Sequence, residues 1–147
     1  MIQRFGVVAL ALLLAACASF EPALPPGYTG STAHISDDFR VETSSKSQLF
    51  YVDAINGKAV ESGMVLTRRA SSGQGFSASP RHATHQVPAQ PLRLRLVATH
   101  VTGAPIHEFA SRAAGTFFSV EGGVVFRPAP AGRCGVYRKL DKAGSSG

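Results

Sequence analysis

Five histidines, two cysteines, a serine- and glycine-rich stretch and two arginines one position apart are the reactive groups of this 147-residue chain. The histidines are His34, His82, His85, His100 and His107. Zinc takes three or four converging His, Cys or carboxylate ligands. His82 and His85 would share a helix face, but residues 81–87 read as extended, where the two point to opposite sides. His100 and His107 have a better prospect, meeting across the turn at Gly103–Pro105. The plainer reading is surface and loop histidines, so no metal ligand set is assigned. Hydrolysis would need a nucleophile turn; no Gly-x-Ser-x-Gly occurs, and Ser71-Ser72-Gly73 lies outside any strand-to-helix pattern. Gly73-Gln74-Gly75 lacks the Lys-Ser/Thr and the helix start of a phosphate loop. Asp37-Asp38 lacks the further acids of a calcium loop and reads as a solvated turn. The expectation is a chain with no catalytic residue and no cofactor.

Cys17 is different, because its neighbours prescribe its chemistry. Met1-Ile2-Gln3-Arg4 is a short basic start, Phe5 to Leu14 is almost wholly apolar, and Ala15-Ala16 are small. That order is an export signal, and the apolar run is too short to cross ~30 Å of hydrocarbon as a stable helix. The small residues lead straight to a thiol, and Leu14-Ala15-Ala16-Cys17 resembles the lipobox of bacterial lipoproteins. Small side chains let an extended segment enter a peptidase cleft, and the thiol must carry a diacylglyceryl thioether before the preceding bond is cut. The resemblance implies a signal peptide over 1–16 and a mature chain that starts at lipidated Cys17. At ~0.8 kcal/mol per buried methylene, one acyl chain holds marginally and two hold stably. Ala18 and Ser19 follow, without the aspartate associated with inner-membrane retention. The expected location is therefore the cell envelope, anchored in the outer membrane and facing the periplasm. The alternative is an ordinary secreted chain, or a helical anchor, with an incidental cysteine. With Cys17 consumed as a thioether, Cys134 is a lone thiol in an oxidising compartment. It reads as a small buried side chain on a late strand, or more rarely as a redox or intermolecular disulfide contact.

Charge narrows the partners. Removing residues 1–16 removes only Arg4 among charged side chains, so the net charge falls from +6 to +5. Export makes nucleic acid a poor partner for a basic chain, and no RNA-binding strand signature is present. Anionic lipids, lipopolysaccharide phosphates, acidic cell-wall stems and envelope proteins are nearer. Arg93 and Arg95 fall on one side of a strand and, joined by Arg127 or Arg138, could meet phosphates or carboxylates; the plainer account is an exposed sheet face.

The elements that must position these groups follow a period of two. Residues 17–32, with Pro22, Pro25, Pro26, Gly27 and Gly30, read as a lipidated N-terminus and a stiff tether that holds the domain off the membrane. The domain spans 33–141, and 142–147 is a flexible tail by composition. Leu49 to Ile55 is rich in strand formers, and Asn56-Gly57 predicts a tight hairpin into Lys58–Glu61. Leu92 to Val101 alternates cleanly, with Leu92, Leu94, Leu96 and Ala98 on one face. Thr116–Val120 and Val124–Phe126 are compatible with one long strand bent at Gly122-Gly123. Val136–Leu140 reads as a last strand, His34-Ile35 and 81–87 as weaker ones. Met64–Ser71 and Ile106–Ala113 read as short helices. Such spacing, with no long amphipathic helix, predicts an all-β antiparallel sandwich or small barrel.

The body also carries a likeness. Pro25-Pro26-Gly27-Tyr28-Thr29-Gly30, Ser45-Lys46, Phe50-Tyr51-Val52, Ile55-Asn56-Gly57-Lys58, Gly73-Gln74-Gly75-Phe76, Val87-Pro88 and Ala104-Pro105-Ile106 resemble a family of small uncharacterised envelope lipoproteins of Gram-negative bacteria. The resemblance runs from about Pro25 to Tyr137 and implies an all-β lipoprotein with no established activity; the expected role is a structural or interaction module of the envelope, with a binder of anionic polymers or lipids as the alternative. It departs at the end, where members continue with a further strand after the one matching Val136–Leu140.

Overall fold

Period-two patterning organises almost everything that folds. The structure, a computed structural model, describes residues 19–136; the signal segment, Cys17, residues 137–140 of the last predicted strand, and the tail lie outside them. Within that range the elements are β1 (Thr32–Ser36), β2 (Asp38–Thr43), β3 (Lys46–Ile55), β4 (Lys58–Ala59), α1 (Gly63–Ser71), β5 (Thr84–Pro88), β6 (Leu92–Thr102), α2 (Pro105–Ala113), β7 (Ser119–Phe126) and β8 (Arg133–Gly135). One sheet has the order β5-β1-β8; the other has β2-β3-β6-β7, with β4 also on β3. The chain is an all-β sandwich with two short helices. Its pairings are antiparallel apart from β1 with β8, which is parallel.

The sheets meet over Ala33, Ile35, Val52, Ile55, Val87, Leu92 and Leu94, which are buried together with Val60. Leu92 and Leu94 supply this core because alternation turns Arg93 and Arg95 outward. β3 is buried on both faces. Its opposite side packs Leu49 and Tyr51 with Val101 and, from α1, Met64. That explains the unbroken run Leu49-Phe50-Tyr51-Val52, which shows no alternation.

The hairpin forms as predicted. Ala54 pairs with Ala59 and Ile55 with Lys58, leaving Asn56 (φ 51°) and Gly57 (φ 82°) as the loop. Both positive φ values match the right-handed strand twist. Asn56 also ties the turn to β6, its Oδ1 accepting the Arg93 N–H at 2.9 Å. Gly57→Ala is expected to destabilise the domain by about 1–2 kcal/mol through the left-handed backbone alone, read as a lower urea midpoint at unchanged slope.

Three expectations change. β2 was not expected: Phe39 and Val41 are its only large apolar residues, and its outer side is solvent-facing. Asp37 is not in a solvated turn; it is 5% exposed, between β1 and β2. The Pro/Gly-rich segment is not a free spacer throughout, since the Glu21 N–H donates to the Ala59 carbonyl (3.0 Å), Glu21 pairs with Lys58, and Ala23 packs on the core.

Candidate functional site

A hollow ringed by polar groups lies at the helical end of β6. α1 and α2 stand over the sheet there and leave a cleft of about 540 Å³. Tyr51, Thr99 and Val101 line its sheet side, Arg68 comes from α1, Arg112 from α2, and Phe117 from the segment before β7. Glu108 and Arg112 are one helical turn apart on α2, so they face each other: Nε and Nη2 of Arg112 donate to Glu108 Oε1 at 3.0 and 2.8 Å. The same guanidinium lies 4.0 Å above the Phe117 ring, a cation–π contact that fixes its plane. The Arg68 side chain is exposed, and its guanidinium has no hydrogen-bond or ion-pair partner among the described residues. Burial pushes the Tyr51 phenol up to about 12, with Asp53 adding to the shift and Arg68 opposing it, so the hydroxyl stays a donor at neutral pH.

The Phe117 wall is held by a buried polar clip. The Phe118 N–H donates to His100 Nδ1 at 2.9 Å, which in the neutral ring leaves the proton on Nε2, 3.2 Å from Glu42 Oε1. Lys46 completes the clip, donating to the Thr116 carbonyl (2.6 Å) and lying 3.5 Å from Glu42. Burial alone would raise the Glu42 carboxyl, but hydrogen bonds from Gln48 and His100, with the charge of Lys46, hold it below its ordinary value. His100 is therefore fully engaged in holding β2, β6 and the approach to β7 together.

The other histidines scatter. His107 stacks on Phe76 at 5.0 Å and His82 on Phe39 at 6.1 Å. No hydrogen bond or ring contact joins His100 to His107 among the described residues. His85 is buried in β5, and burial holds its ring below its ordinary value. No group of three His, Cys, Asp or Glu that could hold a metal ion occurs among the described residues. Ser71 Oγ accepts the Ser79 N–H at 2.9 Å and so shapes the loop after α1.

Arg93 and Arg95 share the outward face of β6, as alternation requires, but differ in circumstance. Arg95 is paired with Asp53, while Arg93 stands exposed beside Val125 of β7. Arg127 is also exposed, and Arg138 is outside the described residues. Cys134 is a half-buried free thiol in β8. It borders an apolar seam of about 460 Å³ together with Ile35, Leu94, Leu96, Val124 and Phe126.

Leu14, Ala15, Ala16 and Cys17 lie outside the described residues. The Arg68–Arg112 cleft was not anticipated, although the Glu108/Arg112 spacing within a predicted helix was a usable signal. No family model, curated protein or solved structure matches the chain.

Proposed function

We propose that the chain is a lipid-anchored module of the cell envelope, held through Cys17 on the periplasmic side of the outer membrane, that binds anionic groups of envelope polymers or lipids without transforming them. The observation that carries the binding site is the unpartnered guanidinium of Arg68 across the cleft from Arg112. A cleft lined by two arginines and by the hydroxyl residues Tyr51 and Ser119 suits a phosphate or carboxylate oxygen cluster. The engagement of His100 on both ring nitrogens favours binding over proton transfer. The cleft is favoured over the Arg93/Arg95 face because it is a concave hollow and not an open sheet face; in each pair one arginine is already answered, Arg112 by Glu108 and Arg95 by Asp53.

The test is titration of the full-length protein in detergent with lipopolysaccharide and with cell-wall fragments. Each charge-assisted hydrogen bond contributes about 1.5–3 kcal/mol, so Arg68→Ala/Arg112→Ala is expected to weaken binding at least about tenfold. Arg93→Ala/Arg95→Ala is expected to change it little, and added salt to weaken it. Equal affinity for wild type and the cleft variant retires the cleft.

A second reading, docking of an envelope protein, is favoured by the outer face of α2. Ile106 and Phe109 are 65% and 76% exposed there, one turn apart, and no residue of α2 is buried. The same titration separates the two, since a protein-docking module leaves both polymers unbound.

A further inference from the structure

We infer that β7 is a homotypic interface, pairing antiparallel with β7 of a second copy about a twofold axis through Gly122. The inference is independent of the cleft and of the lipid anchor.

The two edges of the larger sheet are built differently. β2, at one edge, carries Asp38, Arg40 and Glu42, charges that discourage a further strand. β7, at the other, has eight residues and one charge, Glu121. Val120, Val124 and Val125 on it are 48%, 43% and 62% exposed. A long, uncharged edge with exposed valines is one that natural sheets cover.

The sequence of β7 says what covers it. An antiparallel pair with a twofold axis perpendicular to the sheet keeps the faces of both copies aligned, so partners must have the same parity. Val120, Gly122 and Val124 lie on the face shared with Ala98, Leu96 and Leu94. Centring on Gly122 sets Val120 opposite Val124 of the second copy, and Val124 opposite its Val120. Those valines extend the apolar lining of the seam that Val124, Leu94 and Leu96 leave open beside Cys134. On the other face Glu121 of the second copy falls opposite Gly123, whose cross-strand neighbour on the inner side is Arg95. With strands ~4.8 Å apart and no side chain on Gly123 between them, that Glu121 is within reach of Arg95, beside the Asp53 carboxylate with which Arg95 already pairs. Glu121 has no ion-pair partner within its own chain among the described residues. Moving the axis to Glu121 would oppose like charges, and moving it to Gly123 would set valine against glycine. Of these three centres, Gly122 is the one that satisfies both faces.

Cysteine placement tests the register in the full-length protein, extracted in detergent and carrying Cys134→Ser, against the same protein without an introduced cysteine, which accounts for any disulfide formed through Cys17. At the axis, position 122 meets itself with Cα atoms ~4.5–5.5 Å apart, within disulfide range; positions 121 and 123 meet their own copies only diagonally, at ~7–8 Å. Nothing lies within 4 Å of a Cβ built at Gly122, so the substitution fits. Under mild oxidation Gly122→Cys is expected to give at least about ten times more disulfide dimer than Glu121→Cys or Gly123→Cys, following that distance limit. Adding Val124→Lys to Gly122→Cys is expected to abolish the dimer, as charge on an edge strand does. Circular dichroism confirms that each variant is folded. A folded Gly122→Cys that stays monomeric, or cross-linking equal at all three positions, overturns the interface.

Discussion

Asp37→Ala is expected to cost the domain about 2–4 kcal/mol near pH 4, and distinctly less at pH 8. Two buried backbone donors end on this carboxylate: Val52 N–H on Oδ1 at 2.9 Å and Gly63 N–H on Oδ2 at 2.7 Å. Its own N–H donates to the Ala83 carbonyl at 2.9 Å. One side chain thus joins β3, the start of α1 and the approach to β5. Gly63 is required for that approach, since a Cβ there would lie 2.8 Å from the Arg81 carbonyl oxygen and 3.1 Å from Asp37 Oδ2. Removing the acceptor leaves both donors unsatisfied, at about 1–3 kcal/mol each.

The pH dependence follows from burial, which pushes the Asp37 carboxyl from 3.8 up to about 6 against the backbone donors and the nearby His82 charge. Between those values the folded state binds more protons than the unfolded chain. The contribution of the protonated carboxyl is therefore complete below 3.8 and is lost as pH rises through about 6. At about 1.4 kcal/mol per unit, the penalty of the substitution shrinks by as much as about 3 kcal/mol across that window. His85 titrates in the opposite sense: burial lowers it, so it favours the fold as pH rises toward its ordinary value. It is common to both proteins and cancels in the difference. Urea unfolding of the pair at pH 4, 6 and 8 is the measurement. A penalty that is constant, or that grows with pH, removes the burial account.

Cys17→Ser is expected to have the largest effect on the intact protein. Serine cannot form the thioether, and the bond after Ala16 is cut only once the thioether exists. Mass spectrometry of the wild-type chain is expected to show it beginning at residue 17 with acyl chains attached. The variant is expected to begin at Met1, heavier by the retained leader and without acyl mass. Two or more acyl chains hold a protein stably at ~0.8 kcal/mol per methylene, so the two forms differ in how they attach to the membrane as well as in mass. An unmodified wild-type thiol, or identical processing of both, removes the anchor.

Local signals were read correctly, and signals that need distant partners were not. The alternation of Leu92–Val101 and the two positive-φ residues of Asn56-Gly57 act within a few positions, so β6 and the β3–β4 hairpin were legible. The two short helices and a continuous β7 followed from the same kind of evidence. β2 was missed because an exposed edge strand needs little apolar patterning; its order comes from pairing with β3. Asp37 was misread for a similar reason. Its burial is imposed by backbone at positions 52, 63 and 83, and nothing beside it in sequence announces them. The Arg68–Arg112 cleft is the extreme case, two helices brought together by the sheet on which both stand. Histidine spacing, by contrast, encouraged a meeting of His100 and His107, while Glu42 and Phe118 had the stronger claim on His100.

The docking of Glu21 and Ala23 on the sandwich also sets the length of its leash. Three residues separate Cys17, acylated on the proposed reading, from Glu21, and even fully stretched those four steps reach only ~14 Å. The proposed anchor would then hold the sandwich within that distance of the headgroups, on the side where Glu21 meets Lys58. Ligands would arrive from the side, along the bilayer, before they arrived from across the periplasm.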